Sequence, residues 1–281
     1  KKIVIADNCA VFANQIFNNS ADMNGSTLVL GAIFFTFQIY GDFSGYSDIA
    51  IGTSRLFGFD LKQNFANPYF SRDIGEFWRR WHISLSTWFR DYLYIPLGGS
   101  RGGTWMKVRN TFAIFLVSGF WHGANWTFII WGALNAIYFL PLLLTDNNRK
   151  NLGVVAEGKS LPSFRELFAI LTTFILTVFA WIFFRAENLN HAFDYIKGIF
   201  SKTIISTPKF IDLSDSVNVL CFLVFFIFIE WLGRRDKFAL ERISDSINKK
   251  VRVILYVVLT IVIIKYYFDN GKASEFIYFQ F

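Results

Sequence analysis

Two histidines stand in aromatic stretches of this chain, and both are candidates for acid–base chemistry. His122 lies in the run GFWHGANW (119–126), and His82 lies in RRWHIS (79–84). Imidazole exchanges a proton near neutral pH, so either side chain could act as a general base. An ionisable group is costly in an apolar run, which favours a functional role for His122. The local sequence also leaves a packing role open for each histidine.

Polar groups near His122 could support it. If residues 111–144 are helical, then Ser118, His122 and Asn125 fall at positions i, i+4 and i+7 and share one helix face. We therefore predict that Ser118 and Asn125 orient the imidazole or bind the reacting group.

The apolar run 111–144 is too long for one straight membrane helix. At 1.5 Å per residue it would reach about 50 Å, against a hydrocarbon core of roughly 30 Å. We predict a broken helix or hairpin, with the break near residues 122–125. Gly119 and Gly123, four residues apart, would let another helix approach closely.

Two aspartates interrupt an earlier apolar run, 28–51. Asp42 and Asp48 could orient a catalytic group or line a polar cavity, because carboxylates are unusual at such depth. The alternative is that they lie near the membrane interface and bind backbone or an arginine.

Four arginines could hold the phosphates of a donor such as coenzyme A, because guanidinium groups bind phosphate in a bidentate manner. The alternatives are contact with lipid or ion pairs with Glu76, three and four residues before two of them. These arginines are Arg72, Arg79, Arg80 and Arg90.

Other chemistry finds no support in the sequence. No HExxH motif or cluster of His, Cys and acidic residues has the spacing of a metal site, so we predict no metal. No Gly-x-Ser-x-Gly motif is present, and neither cysteine accompanies a histidine, which argues against a covalent nucleophile. Proton transfer remains the chemistry that these residues favour.

The composition is that of a membrane protein. Of the 281 residues, 53% are hydrophobic and only 17% are charged, against roughly 25% in soluble domains. The predicted fold class is all-α, with transmembrane spans in a single domain (1–281). The predicted spans are residues 28–51, 111–144, 166–184, 217–233 and 251–268.

Charge and periodicity place the remaining segments. Apolar residues recur at helical spacing from Ile74 to Tyr92, which predicts an amphipathic or re-entrant helix over about 72–92 at the membrane interface. The loops 52–110, 145–165 and 234–252 are net basic and are predicted to be cytoplasmic. The basic residues lie between apolar spans, so the expected partner is the lipid bilayer and not nucleic acid.

Four motifs together resemble one family. The segment NPYFSRDIGEFWRRWHISLSTWFRDYLYIPLGG (67–99), with FWHGANW (120–126), DFSGYSD (42–48) and the closing FIYFQF (276–281), resembles the membrane-bound O-acyltransferase superfamily, specifically its bacterial alginate O-acetyltransferase branch. Relative to that family the chain resembles the C-terminal part of a longer protein.

The resemblance implies a ring of helices around a central tunnel, with His122 as the active-site histidine and His82 as the second motif histidine. It implies a multi-pass protein of the bacterial inner membrane that passes an acetyl group from a cytoplasmic thioester, acetyl-CoA or another, to a hydroxyl at the outer face. The acceptor would be an exported polysaccharide and the partner a periplasmic acetyl-handling protein. No permanently bound cofactor is expected.

Three alternatives remain at this point. The same residues could transfer D-alanine to teichoic acid, or an acyl group to peptidoglycan. A transporter or lipid-export channel would also carry buried polar residues among apolar helices. A structural scaffold would tolerate the loss of both histidines.

Overall fold

The fold is described from a computed structural model that covers residues 1–209, 213–242, 245 and 247–269. Regular secondary structure in these residues is helical, which confirms the all-α prediction. The closing motif at 276–281 lies outside the described residues. In chain order the helices are α1 (Asp7–Asn18), α2 (Gly25–Leu56), α3 (Ile74–Arg80), α4 (Ile83–Phe89), α5 (Gly103–His122), α6 (Trp126–Leu144), α7 (Phe164–Arg185), α8 (Leu189–Ile199), α9 (Leu213–Leu232) and α10 (Lys249–Asp269).

Five helices in the described part of the chain are long and apolar enough to cross a bilayer. Each overlaps one of the five predicted spans, although Trp126–Leu144 covers only the second part of 111–144, and the prediction of a polytopic helical membrane protein is confirmed. The side of the membrane on which each loop lies stays a prediction. The five stretches are Gly25–Leu56, Trp126–Leu144, Phe164–Arg185, Asp215–Leu232 and Lys249–Phe268.

The chain forms two compact units. The first consists of Lys1–Leu61 with Lys197–Phe281, and the second is Lys62–Ile196. That the whole of residues 1–281 acts as one domain stays a prediction. His82 and His122 both belong to the second unit, whereas Asp42 and Asp48 belong to the first.

In the first unit, α2 is a long helix that packs against α1. Asn24 caps its first turn, because the side-chain Oδ1 accepts a hydrogen bond from the backbone N–H of Thr27 at 3.0 Å. Rings then join the two helices, with Phe12 5.4 Å from Phe34 between centroids. This packing buries most of α2, so the acidic residues on it need partners inside the unit.

In the second unit, α5 and α6 form an antiparallel hairpin. A Cβ added at Gly119 would lie 2.3 Å from the carbonyl oxygen of Phe128, and one at Gly132 would lie 2.3 Å from that of Phe115. Since 119 faces 128 and 115 faces 132, the two helices run in opposite directions with their backbones in contact. The hairpin predicted from the length of the apolar run is confirmed.

The prediction of one continuous amphipathic helix over 72–92 is wrong. The structure divides it into α3, α4 and a π-helical turn (Arg90–Tyr94), with an extended residue, Trp81, after α3. The Trp81 indole is buried against Phe65 at 5.1 Å and Trp181 at 5.2 Å. Tertiary packing of this ring outweighs the helical periodicity, which continues across the break.

Candidate active site

His122 is the last residue of α5, and its imidazole is enclosed by aromatic rings. The ring of Trp131 lies 5.3 Å away in an edge-to-face arrangement, and that of Phe184 lies 5.0 Å away in the same manner. Such contacts fix the plane of a ring, because edge-to-face pairs have a preferred geometry. The helices α6 and α7 therefore hold the orientation of the His122 side chain.

The break after His122 has two local causes. Gly123 ends α5, and a Cβ at this position would lie 2.8 Å from the ring of Phe128. Asn125 begins α6, because its Oδ1 accepts a hydrogen bond from the backbone N–H of Thr127 at 3.1 Å. Its Nδ2 donates to the carbonyl oxygen of Glu187 at 2.8 Å. The break therefore lies where the sequence predicted it.

The predicted common face of Ser118, His122 and Asn125 is wrong in part, because α5 ends before Asn125. Both polar atoms of the Asn125 side chain bind backbone groups, so this residue fixes the turn. Ser118 is buried, and it lies on α5 one turn before His122 as predicted.

His82 is held in a strained backbone conformation between α3 and α4. Its φ and ψ are 43° and 58°, in the left-handed region, which costs a residue other than glycine about 1–2 kcal/mol. Strain of this kind often marks a functional position. Burial lowers the pKa of the His82 imidazole to about 4, so the ring is neutral at physiological pH.

The structure brings the two histidines to one cluster of aromatic rings. His82 follows Trp81, whose ring lies 5.2 Å from Trp181, and Trp181 stacks at 5.8 Å on Trp131, the ring that packs on His122. Trp131, which packs on His122, also lies 5.8 Å from Trp78 in α3. A neutral imidazole beside another can accept a proton and leave the second to orient the reacting group.

A cavity of about 760 Å³ lies beside these elements in the second unit. Its wall is largely apolar, and it reaches Ser118, one turn before His122. Four basic side chains also line it: Arg79, Arg90, Lys107 and Arg149. Arg90 pairs with Asp91 and Lys107 pairs with Asp146, each at 2.7 Å, so Arg79 and Arg149 contribute most of the positive charge.

The four predicted phosphate-binding arginines divide into two pairs. Arg72 and Arg80 bind the carboxylate of Glu76, which is 1% exposed, with N–O distances of 3.0 and 2.9 Å. Arg79 and Arg90 line the cavity. Arg79 also donates to the carbonyl oxygens of Asn148 and Asn151, and its pKa is lowered by burial. The ion-pair alternative thus describes Arg72 and Arg80.

The two predicted aspartates of α2 lie in the first unit and form ion pairs there. Lys2 Nζ lies 2.7 Å from Asp42, and Lys1 Nζ lies 3.1 Å from Asp48. Lys1 also contacts Glu230 of α9 at 3.0 Å. Both carboxylates bind basic side chains, as the second interpretation expected, but the partners are lysines and not an arginine.

Several residues of this region were not found from the sequence. Lys107 and Arg149 add charge to the cavity, but no motif marks them. Asn135, 3% exposed in the apolar helix α6, accepts a hydrogen bond from the Trp78 indole at 3.1 Å. A buried amide in a membrane span was a signal that could have found it. Asn64, which precedes the motif, contacts the residues that follow His82.

No group of three or more His, Cys, Asp or Glu side chains among the described residues is arranged to hold a metal ion. The neighbouring histidines offer proton transfer, and the basic cavity offers binding of an anionic, partly apolar molecule. A helical membrane protein with this combination is of a class that can move a group between a bound donor and an acceptor.

Comparison with known proteins makes that class specific. The profile of MBOAT, the membrane-bound O-acyltransferase family, matches residues 1–171, and the chain belongs to this family. Within the family it belongs to the AlgI-type branch. It is 47% identical over 201 residues to the probable alginate O-acetylase AlgI of Azotobacter vinelandii. The matched residues cover 72% of this chain and 38% of that protein.

Two other relatives carry different names. The peptidoglycan O-acetyltransferase of Helicobacter pylori is 42% identical over 199 residues, covering 71% of this chain and 36% of that protein. The teichoic acid D-alanyltransferase of Bacillus subtilis is 32% identical over 191 residues, covering 65% and 45%. The chain spans less than half of the length of each of these relatives.

Proposed function

We propose that the full-length protein is an O-acetyltransferase of the bacterial inner membrane. It would take an acetyl group from a cytoplasmic thioester and pass it to a hydroxyl at the outer face, for O-acetylation of an exported polysaccharide. The observation that carries this proposal is the placement of the two motif histidines at one cluster of aromatic rings, with a cavity that is lined by four basic residues and reaches Ser118, one turn before His122. The names of the alginate and peptidoglycan relatives support acetyl as the group and a polysaccharide as the acceptor.

In this reaction His122 is the general base. It takes the proton of the acceptor hydroxyl while the hydroxyl oxygen attacks the carbonyl carbon of the thioester. The tetrahedral intermediate then breaks its C–S bond, and the departing thiolate takes up the proton from the imidazolium. A general base of this kind contributes typically about 10²–10⁴-fold in rate.

His82 is the better candidate for the group that orients the reactants or stabilises the oxyanion. Asn125 is the other predicted residue, but its Oδ1 and Nδ2 both bind backbone groups. Its amide would have to release a helix cap before it could bind the reacting carbonyl.

The cavity would bind the thioester donor, acetyl-CoA or another. Its apolar wall suits a thioester arm, and Arg79, Arg90, Lys107 and Arg149 suit phosphate groups. A periplasmic partner protein would receive the acetyl group or present the polysaccharide.

The first experiment measures polysaccharide O-acetylation in cells that carry the full-length protein. We expect His122→Ala to reduce ester-linked acetate by about 10²-fold or more. His191→Ala is the matched control, since His191 binds the backbone N–H of Glu187 at 3.4 Å and should leave acetylation unchanged. Normal acetylation in His122→Ala, at equal protein level, would refute the proposal. Acetate on peptidoglycan, or D-alanine on teichoic acid, would instead identify the alternative acceptors.

The second experiment tests the donor cavity with the purified protein and acetyl-CoA. We expect Arg149→Gln to raise KM for the donor about tenfold with little change in kcat, because a phosphate contact is lost in the ground state and the transition state alike. Arg101→Gln, at an exposed residue that does not line the cavity, is the control. A transporter would release no thiol from acetyl-CoA in any variant.

A further inference from the structure

The backbone at His82 is held from outside its own helix. His82 is the N-cap of α4, yet its side chain makes no capping hydrogen bond. The first N–H groups of a helix have no partner within the helix and need one from elsewhere. A left-handed residue at this position also needs its neighbours to be fixed, since its backbone would otherwise relax.

Asn64 supplies partners for two of these N–H groups, those of Ile83 and Ser84. Its main-chain oxygen accepts a hydrogen bond from the N–H of Ile83 at 3.0 Å. Its side-chain Oδ1 accepts from the N–H of Ser84 at 3.1 Å. One residue, 18 positions before His82 in sequence, therefore caps the helix that begins directly after it.

The residues next to Asn64 hold the other side of His82. The N–H of Ala66 donates to the carbonyl oxygen of Arg80 at 3.0 Å, and the Arg80 guanidinium donates back to the Ala66 carbonyl at 3.1 Å. Between these contacts, Phe65 packs edge-on against Trp81 at 5.1 Å. Residues 64–66 thus form a strap along residues 80–84, with His82 at its centre.

We propose that Asn64 is a positioning residue of the acyl-transfer reaction, which acts by holding His82 in its left-handed conformation. This inference rests on the proposed function and adds a residue to it. Loss of the Asn64 amide would release the N–H of Ser84 and let the start of α4 unwind, so that His82 relaxes and its ring moves.

A double-mutant cycle in the full-length protein separates positioning from general stability. We expect Asn64→Ala to lower polysaccharide acetylation about 10- to 100-fold, a typical cost of misplacing a reacting group. Asn64→Asp keeps the accepting oxygen and should stay within about threefold of the parent. In the His82→Ala background, Asn64→Ala should cause no further loss, because the two residues act as one unit. Equal losses in both backgrounds, or no loss in either, would overturn the proposal.

Ser163→Ala is the matched control for a lost helix cap. The Ser163 hydroxyl accepts from the N–H of Glu166 at 3.3 Å at the start of α7, so its removal has a similar structural cost. We expect acetylation within about threefold of the parent in this variant, at equal protein level. A loss as large as that of Asn64→Ala would mean that any lost cap has this effect, and would overturn the proposal.

A chemical measurement tests the placement of the ring without any acyl transfer. Diethylpyrocarbonate modifies accessible neutral imidazoles, and mass spectrometry resolves the peptides that contain His82, His122 and His191. We expect His82 to react about five times faster in Asn64→Ala than in the parent, Asn64→Asp or Ser163→Ala, because local opening exposes it. An unchanged His82 rate would overturn the proposal. Since no substrate is needed, this result is independent of a failure of the proposed function.

Discussion

The break after His122 is built by residues close to it in sequence, whereas the break at His82 is built by a segment almost twenty residues away. Gly123 and Asn125 end one helix and begin the next within three positions of His122. At His82 the corresponding contacts come from Asn64 and from the residues that follow it.

This difference shows why one histidine was easy to place from the sequence and the other was not. A glycine followed by an asparagine is a local signal for the end of one helix and the start of another. A hydrogen bond between Asn64 and Ser84 leaves no such signal, because each residue alone is an ordinary polar residue. The second break therefore depends on tertiary structure, and its variants should show more coupling between distant positions.

The largest effect is expected at Glu76, which supports the break at His82. Replacing it by Ala leaves the guanidinium groups of Arg72 and Arg80 without their buried carboxylate, and should lower the free energy of unfolding by about 3–5 kcal/mol. Unfolding in detergent, followed by intrinsic fluorescence, measures this. Asp60→Ala is the control, since Asp60 forms an exposed pair with Arg55 at 3.9 Å. If Glu76→Ala lowered the free energy of unfolding no more than the control does, the ion pairs of Glu76 would not be what stabilises the break at His82.

The next effect is expected at Gly119, in the helix that ends at His122. Its Cβ in Gly119→Ala would lie 2.3 Å from the Phe128 carbonyl oxygen, so α5 and α6 must separate. We expect a loss of about 1–3 kcal/mol in the free energy of unfolding. Gly52→Ala is the matched control, because a Cβ there meets no atom within 4 Å and alanine favours a helix. Equal stability of the two variants would contradict the close packing of the hairpin.

A smaller effect is expected at Asn125. Asn125→Ala removes the cap on α6 and the hydrogen bond to Glu187, which should cost about 1 kcal/mol in the free energy of unfolding. Asn125→Asp keeps the cap but has no N–H to donate to the Glu187 carbonyl oxygen, so it should recover only the capping part of the loss. If Asn125→Ala instead abolished acetylation while stability stayed normal, the side chain would have to be assigned to the reaction and not to the turn.

The last effect is a dependence of stability on pH at His82, which appears only in acid. Its pKa of about 4 lies below the ordinary value of 6.5, so the unfolded chain binds a proton first as pH falls. The contribution of the neutral ring is therefore complete above pH 6.5 and is lost progressively as pH falls toward 4. We expect Tm in detergent to fall over this range, and His82→Gln to flatten the fall. An identical pH profile in both proteins would refute the assignment.

Much of the fold could be predicted because apolar runs of membrane length indicate helices directly. The break between α5 and α6 followed from the length of one such run, measured against the thickness of a bilayer. The periodicity from Ile74 to Tyr92, by contrast, carried no sign that Trp81 would leave the helix for a pocket formed by Phe65 and Trp181. The packing partner of a single ring lies far away in sequence, and periodicity cannot report it.

The sequence predicted which residues form the candidate site better than it predicted what their side chains contact. His122 and His82 were found from residue type and from motif, and the structure places both at one cluster of aromatic rings. Which arginines face the cavity could not be decided, because Glu76 lies at pairing distance in sequence from more than one of them. In the structure the guanidinium groups of Arg72 and Arg80 bind the carboxylate of Glu76.

The series of rings that leads from the cavity wall to His122 has an electrical consequence. Trp78 lines the cavity, packs on Phe115 at 5.2 Å and meets Trp131, which packs on His122. The indole N–H of Trp78 is already bound to Asn135, so this layer offers few groups to a chain of water molecules. Each elementary charge that crosses a membrane potential of 100 mV dissipates about 2.3 kcal/mol. A layer of edge-to-face rings between the basic cavity and His122 would limit such leakage, while the cavity still approaches His122 at Ser118.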